Sequence, residues 1–199
     1  MVKFYKIDPT NVQQVGETYL GKPVHYMSGA ENLLVTAHSE KHIHLWNLEN
    51  IMRGSFDPVH ICDSPLKYET SSLCAFSNGK GFTLGSIEGR CGVVNVNFAT
   101  EKVTDLDFCF KCHRVEVGGA TGDAYTVNNI SFNKKWGTFS TVGSDGTFIV
   151  WNKDTKARYK SSKAAPMPMT NCCFSDDALI LVFACGEDWS KGNEAAKNR

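Results

Sequence analysis

The sequence has no excess of charge of either sign. Its 199 residues carry 21 Lys+Arg and 21 Asp+Glu, a formal net charge of zero. That balance argues against a wholly basic nucleic-acid binder, although a local basic stripe remains compatible with it. Long apolar runs are missing too. The longest, Ala178 to Cys185, falls far short of the roughly 18 residues that a helical membrane span requires. Met1–Asp8 shows no apolar core or small-residue cleavage site of the secretory kind. Only six prolines accompany seventeen glycines, which points to many turns without low complexity. Helical periodicity is weak throughout, and β-branched and aromatic residues fill the apolar stretches. What is present, 42% hydrophobic and 21% charged residues, fits a folded chain and excludes disorder throughout.

Several chemistries lack a partner they would need. Eight cysteines lie scattered through apolar stretches; without a secretory leader they are expected to be reduced, small hydrophobes in an intracellular protein. Cys109-Phe-Lys-Cys112-His113 matches the spacing of covalent haem attachment. On an alternating strand, however, residues three apart point to opposite faces. No second Cys/His pair at ligand spacing supports zinc either, so no metal and no cofactor is expected. Gly118-Gly119 lacks the following Gly-Lys-Ser/Thr of a phosphate-binding loop. His113, Ser144 and Asp145 include the residue types of a hydrolytic triad, but a triad is defined by geometry and not by type. No catalytic residue is assigned, and the chain is expected not to be an enzyme.

Aligning the chain on itself decides the architecture. Four segments share one pattern: a short apolar stretch, a polar turn, a second apolar stretch, then an alternating strand. The copies run through Val24–Met27, Leu33–His38 and Ile43–Asn47; Leu73–Phe76, Phe82–Ser86 and Val93–Asn95; Ile130–Phe132, Phe139–Gly146 and Phe148–Asn152; and Cys172–Phe174 with Leu179–Ala184. A tail of a further copy opens the chain, with Tyr5 in the place of Trp46. Tyr5, Trp46, Val94 and Trp151 are spaced by 41, 48 and 57 residues, against a period of about 40–45 for a four-stranded propeller blade. Registered copies with Trp-Asn endings predict an all-β fold, a WD-repeat β-propeller that is incomplete. The division reads as 1–15, the end of a blade; 16–57, 58–105 and 106–163, three blades; and 164–199, an incomplete last blade. The Gly-rich segment 115–123 reads as a long surface loop.

In WD repeats a His before the first strand, an Asp in a tight turn and a strand Trp form a buried hydrogen-bonded relay. His113, Asp145 (in the turn pair Asp145-Gly146) and Trp151 stand where that relay needs them. After Trp151, the cations Lys153, Lys156, Arg158, Lys160 and Lys163 face one acid, Asp154. Cations beside aromatic rings suit single-stranded nucleic acid, whose phosphates follow charge and whose bases stack. Such a run also serves as an ordinary solvated loop.

Leu84-Gly-Ser-Ile-Glu-Gly-Arg90, Phe110-Lys-Cys-His-Arg114, Ala124–Phe132, Thr141–Gly146 and Asp188-Trp-Ser-Lys-Gly192 together resemble the WD-repeat factors of RNA export at the nuclear pore. Their close paralogue is the mitotic-checkpoint WD-repeat protein. The resemblance runs from about Val2 to Gly192 and implies a seven-bladed, non-enzymatic propeller found in the nucleus, at the nuclear pore and in the cytoplasm. It further implies binding of a GLEBS-type nucleoporin segment and of single-stranded mRNA, and a part in spindle assembly. Checkpoint kinase peptides are the alternative partner. The positions matching the family's nucleic-acid or partner-binding rim are Arg90, Phe110, Lys111, Trp151, Lys153 and Arg158. Asn47 and Asn152 replace the usual Asp after Trp, and Val94 stands where a Trp could, so the polar relay is not expected in every blade. Four blades and a closing strand fall short of seven, which would take roughly 290 residues at this period. The expectation is therefore that the chain is a truncated or mis-started product, or a partial ring whose strand edges something else caps.

Overall fold

The computed structural model describes residues 1–100, 102–117, 120–190 and 192. Alternating apolar and polar residues give strands, and Gly- or Asn/Asp-bearing turns reverse them. The first pair is β1 (Val2–Asp8) and β2 (Asn11–Thr18). Next come β3 (Val24–Ala30), β4 (Leu33–His38), β5 (His42–Asn47) and β6 (His60–Asp63); a 3-10 turn, Ser39–Lys41, precedes β5 and the short helix α1 (Leu48–Met52) follows it. Asn47 caps that helix by accepting from the Glu49 amide at 2.9 Å. The second group is β7 (Thr70–Ala75), β8 (Gly81–Ser86), β9 (Arg90–Val96) and β10 (Thr104–Lys111). A hairpin, β11 (Arg114–Val117) and β12 (Ala120–Ala124), leads to β13 (Val127–Phe132), β14 (Thr138–Gly143), β15 (Phe148–Asn152) and β16 (Ala157–Ser161). Last come β17 (Met169–Phe174) and β18 (Leu181–Cys185).

Every pairing is antiparallel between chain neighbours. β3–β6, β7–β10 and β13–β16 form three four-stranded meanders, while β1–β2, β11–β12 and β17–β18 are two-stranded. The chain is all-β, with the architecture of an incomplete WD-repeat propeller. The first two four-stranded sheets overrun the repeat segments by one strand, while β13–β16 lies wholly within 106–163. His60–Asp63, inside segment 58–105, closes the sheet begun in the preceding segment, and Thr104–Lys111 closes the next. Segment 115–123 differs from the expected open loop: Arg114–Val117 and Ala120–Ala124 pair as a hairpin. Its Gly118-Gly119 lies outside the described residues, as do Lys191 and residues 193–199 of the last segment.

The core lies between sheets, where inward-facing residues of one meander meet those of the next. Leu33, Val35, Ile43 and Leu45 pack against Phe82 and Val94 across the first junction. At the second junction Phe76, Cys91 and Val93 meet Val127, Phe139 and Ile149. The third is small, with Val142, Met169 and Cys172 its only fully buried members among the described residues. Cys91, Cys112 and Cys172 are buried as expected, but Cys109, Cys173 and Cys185 are exposed. These three lie on the first or last strand of a sheet or on the face that no neighbouring sheet covers.

Candidate functional site

The polar relay is built from four residues on three elements. His113, buried at the entry to β11, directs Nδ1 to the Asp145 carboxylate at 2.9 Å and Nε2 to the Thr141 hydroxyl at 2.9 Å. Trp151 Nε1 donates to the same hydroxyl at 3.0 Å. In the neutral tautomer that keeps its proton on Nδ1, facing the carboxylate, the bonds run from indole N–H to Thr141 Oγ1, from Thr141 O–H to His113 Nε2, and from His113 Nδ1–H to Asp145. Thr147 secures the other end, giving its hydroxyl to Asp145 Oδ2 at 2.8 Å and its amide to Oδ1 at 3.1 Å. Burial pushes the Asp145 carboxyl up, yet the hydrogen bonds from His113 and Thr147 outweigh it, so the group sits below the ordinary carboxylate range. Gly143 leaves room for this arrangement, since a Cβ there would stand 2.6 Å from His113 Nδ1. Ser144 points elsewhere, to Asn128 at 3.4 Å. The four residues form a hydrogen-bonded scaffold that ties the β14–β15 turn to the chain entering β11.

Thr141 is the member that the sequence reading passes over. A signal for it exists in the repeat. Thr36 occupies the corresponding place in β4, opposite Met27 as Thr141 stands opposite Ile130, and it meets His38 Nε2 at 2.7 Å. That second relay has no Asp, and Trp46 Nε1 instead reaches the Phe56 carbonyl at 3.4 Å. In β7–β10 the equivalent places hold Leu84 and Val94, both buried, and the relay is replaced by apolar packing.

The rim residues fall along the outer strands. Arg90 and Lys111 are register partners across β9–β10, as Trp151 and Arg158 are across β15–β16. Phe110 bridges the two sheets, its ring centroid 4.4 Å from that of Trp151. Lys111 and Arg158 are exposed and Phe110 and Trp151 half-buried. Arg90 Nε lies 3.4 Å from Glu88 Oε1. Lys153 behaves differently. Its side chain is only 18% exposed, with the ammonium 2.6 Å from Asp154 and 5.3 Å over the Phe76 ring. Lys156 is tied to Asp107 at 2.7 Å and lies 5.1 Å over Phe108. The structure thus brings Phe110, Trp151 and Arg158 together, sets Arg90 beside Lys111, and turns Lys153 inward. Five-donor guanidinium and ammonium groups beside aromatic rings can hold phosphates and present flat surfaces to bases.

Cys109 and Cys112 are separated by the strand geometry: Cys109 is exposed, and Cys112 is buried with Sγ 3.6 Å from that of Cys91. Asp188 Oδ2 accepts from Asn128 Nδ2 at 3.1 Å, docking the last motif onto β13. Trp189 is exposed.

No protein-family model matches the chain. Individual relatives do. It is 39% identical over 176 residues to the poly(A)+ RNA export protein of Schizosaccharomyces pombe, an alignment covering 87% of this chain and 47% of that protein. It is 37% identical over 192 residues to mRNA export factor rae-1 of Caenorhabditis elegans, covering 92% and 49% respectively. WD40 repeat protein poxJ of Penicillium oxalicum is 37% identical over 171 residues, 85% of this chain and 47% of its own length. The chain is a homologue of these RNA-export and WD40 repeat proteins. It spans about half the length of the curated relatives it matches. Within this WD-repeat chain the Asp-His-Thr-Trp relay is complete in β13–β16, whereas β3–β6 pairs Thr36 with His38 without an Asp and β7–β10 has Leu84 and Val94 in the places of Thr141 and Trp151.

Proposed function

We propose that this chain serves mRNA export as a non-catalytic WD-repeat adaptor of the nucleus and nuclear pore, reaching the cytoplasm with its cargo. On this reading it binds single-stranded RNA through the outer-strand surface of Arg90, Lys111 and Arg158 with Phe110 and Trp151, and it binds a GLEBS-type nucleoporin segment. The observation that carries the RNA half is the seating of exposed Arg158 directly across from Trp151, which Phe110 covers from the next sheet. The names of the relatives support the export role. The nucleoporin half rests on the motif resemblance at Asp188–Gly192 and Leu84–Arg90. Lys153 belongs to the rim as a buttress, because its charge is already committed to Asp154. Nothing in the relatives' names favours the checkpoint-kinase reading.

The test is fluorescence anisotropy of a labelled single-stranded oligoribonucleotide across a salt series. Phosphate contacts release counterions, so affinity should fall steeply with salt. Arg158→Glu combined with Lys111→Glu should weaken binding at least about tenfold and flatten the salt slope by roughly one to two contacts, while Lys153→Ala should do less than either. Unchanged affinity in the double variant refutes the site. A parallel pull-down with nucleoporin and kinase peptides tests the protein partner; capture of the kinase peptide alone refutes the nucleoporin assignment.

A further inference from the structure

Two junctions between sheets can be compared position by position, because each lies between complete four-stranded meanders. Where β7–β10 meets β13–β16, Phe110 of the outer strand packs on Trp151 of the next sheet's third strand, ring centroids 4.4 Å apart. Strand register identifies the counterparts of this pair one sheet earlier. Cys62 stands opposite Ile43 and Ile43 opposite Ala37, as Phe110 stands opposite Cys91 and Cys91 opposite Gly85. Val94 stands opposite Phe82 as Trp151 stands opposite Phe139. Where β3–β6 meets β7–β10, a thiol and an isopropyl group therefore take the places of a phenyl and an indole ring.

The space that those two rings would take is open. A pocket of about 410 Å³ lies there, with Cys62, Phe82 and Val94 in its lining and Thr104 and Leu106 beside them. Deeper in the same junction Leu33, Val35, Ile43 and Leu45 are at most 1% exposed. The opening thus marks a local loss of side-chain bulk within an otherwise close-packed core. Its size falls in the range of about 300–1,000 Å³ usual for ligand sites. The floor is apolar, since Phe82 and Val94 are buried. The mouth is acidic: Asp63 and Asp105 stand there with one cation, Lys102, and all three are exposed. Lys102 is ion-paired with Asp105, and Asp63 Oδ1 lies 2.9 Å from His42 Nδ1.

We propose that this pocket receives the Trp side chain of a partner polypeptide, from a segment in which Trp is followed by Arg or Lys. The ring is specified by the repeat: the next junction fills the same place with aromatic side chains of its own. An indole buries much apolar surface and still needs an acceptor for its N–H, and the Thr104 hydroxyl and Asp105 carboxylate line the pocket as acceptors. The neighbouring cation is specified by the mouth, where two acids face one lysine. That excess of negative charge repels phosphate, so the occupant is a peptide and not RNA. Trp and Arg are also the residues that most often anchor protein interfaces. The pocket shares no residue with the rim of Arg90, Phe110, Lys111, Trp151, Lys153 and Arg158, so either surface can fail without the other.

The experiment follows the methyl resonances of Val94 and Leu106 in the 199-residue chain during titration with the peptide Gly-Ser-Trp-Arg-Ser-Gly. Both should shift and saturate together, with half-saturation between about 0.1 and 1 mM, as expected for one anchoring side chain and one charge contact. The same peptide with Ala in place of Trp should leave them unmoved, and with Glu in place of Arg should bind at least about fivefold more weakly. Val94→Trp fills the pocket from within and should abolish the response of Leu106. Cys62→Phe, at a half-buried position, fills it from β6 should Val94→Trp fail to fold. Asp105→Lys alters an exposed residue and should weaken binding about fivefold. Methyl groups that stay unmoved through the millimolar range overturn the proposal. So do equal shifts with the Ala peptide, equal binding of the Glu peptide, binding that survives a folded pocket-filling variant, or a stronger response of these methyl groups to an oligouridylate than to the peptide.

Discussion

Replacing Thr141 by Val tests the relay most directly, because the two side chains have nearly the same shape and differ in a hydroxyl. Thr141 has no exposed surface, so the change opens little space and admits no water by itself. It leaves two groups without partners: His113 Nε2, inside a residue 1% exposed, and Trp151 Nε1, on a half-buried ring. Each orphaned buried group costs about 1–3 kcal/mol. The indole lies nearer solvent and should contribute the lower figure, for a total of roughly 2–4 kcal/mol. At about 2–4 °C per kcal/mol for a chain of this size, the midpoint should fall by around 10 °C. Thr36→Val is the internal control. There one ring nitrogen of His38 loses its partner and Trp46 is untouched, so the loss should be near 1–2 kcal/mol. Thermal and urea unfolding of both variants measure the difference. Equal losses in the two, or a Thr141→Val loss under about 0.5 kcal/mol, the range of ordinary surface changes, would refute the idea that Thr141 joins two buried donors and acceptors.

Three other outcomes follow from the same geometry. Burial first, and then the charges of His44 and His42, hold His38 down to about 4 from its usual value near 6.5. Its folded pKa is depressed, so the unfolded chain takes up the proton first, and stability should decline as pH falls from about 6.5 toward 4 by up to roughly 3 kcal/mol. Urea midpoints over that window should show the decline in the wild type and a flatter profile in His38→Gln; stability that rises on acidification would contradict it. Gly143→Ala places a Cβ 2.6 Å from His113 Nδ1 and 2.8 Å from the Thr126 carbonyl. Neither can withdraw freely, so a loss of about 1–3 kcal/mol is expected from overpacking, and a neutral result in thermal unfolding would refute the tight fit. Phe139→Ala removes a fully buried ring stacked on Phe132 at 4.9 Å, with an expected cost of about 3–5 kcal/mol in chemical denaturation; a loss below about 1 kcal/mol would show that the second junction does not depend on it.

Much of this molecule was legible in the chain because the relevant signals are local. Alternation with period two placed the strands. Turn pairs such as Asp145-Gly146 marked the reversals, and the recurrence of Trp46 and Trp151 aligned the third strands. His113, Asp145 and Trp151 were recognisable as a set because their offsets belong to a repeated unit. Thr141 was not, because its part depends on a cross-strand register that brings it under residues 10 and 28 positions away. The same limit applies to the rim. Lys153 and Arg158 read as equivalent cations five residues apart, yet folding set one against Asp154 and the Phe76 ring and left the other exposed opposite Trp151.

The sequence alone therefore determined the inner strands of the repeat, how they recur, and that no one sign of charge dominates, since composition and short-range periodicity carry that information; it did not show that 115–123 pairs as a hairpin. Tertiary structure decided which polar groups share a proton network and which cations remain available to a ligand. Those outcomes depend on distances between residues far apart in the chain, and on the ion pairs and burial that pairing imposes, neither of which is encoded at any single position.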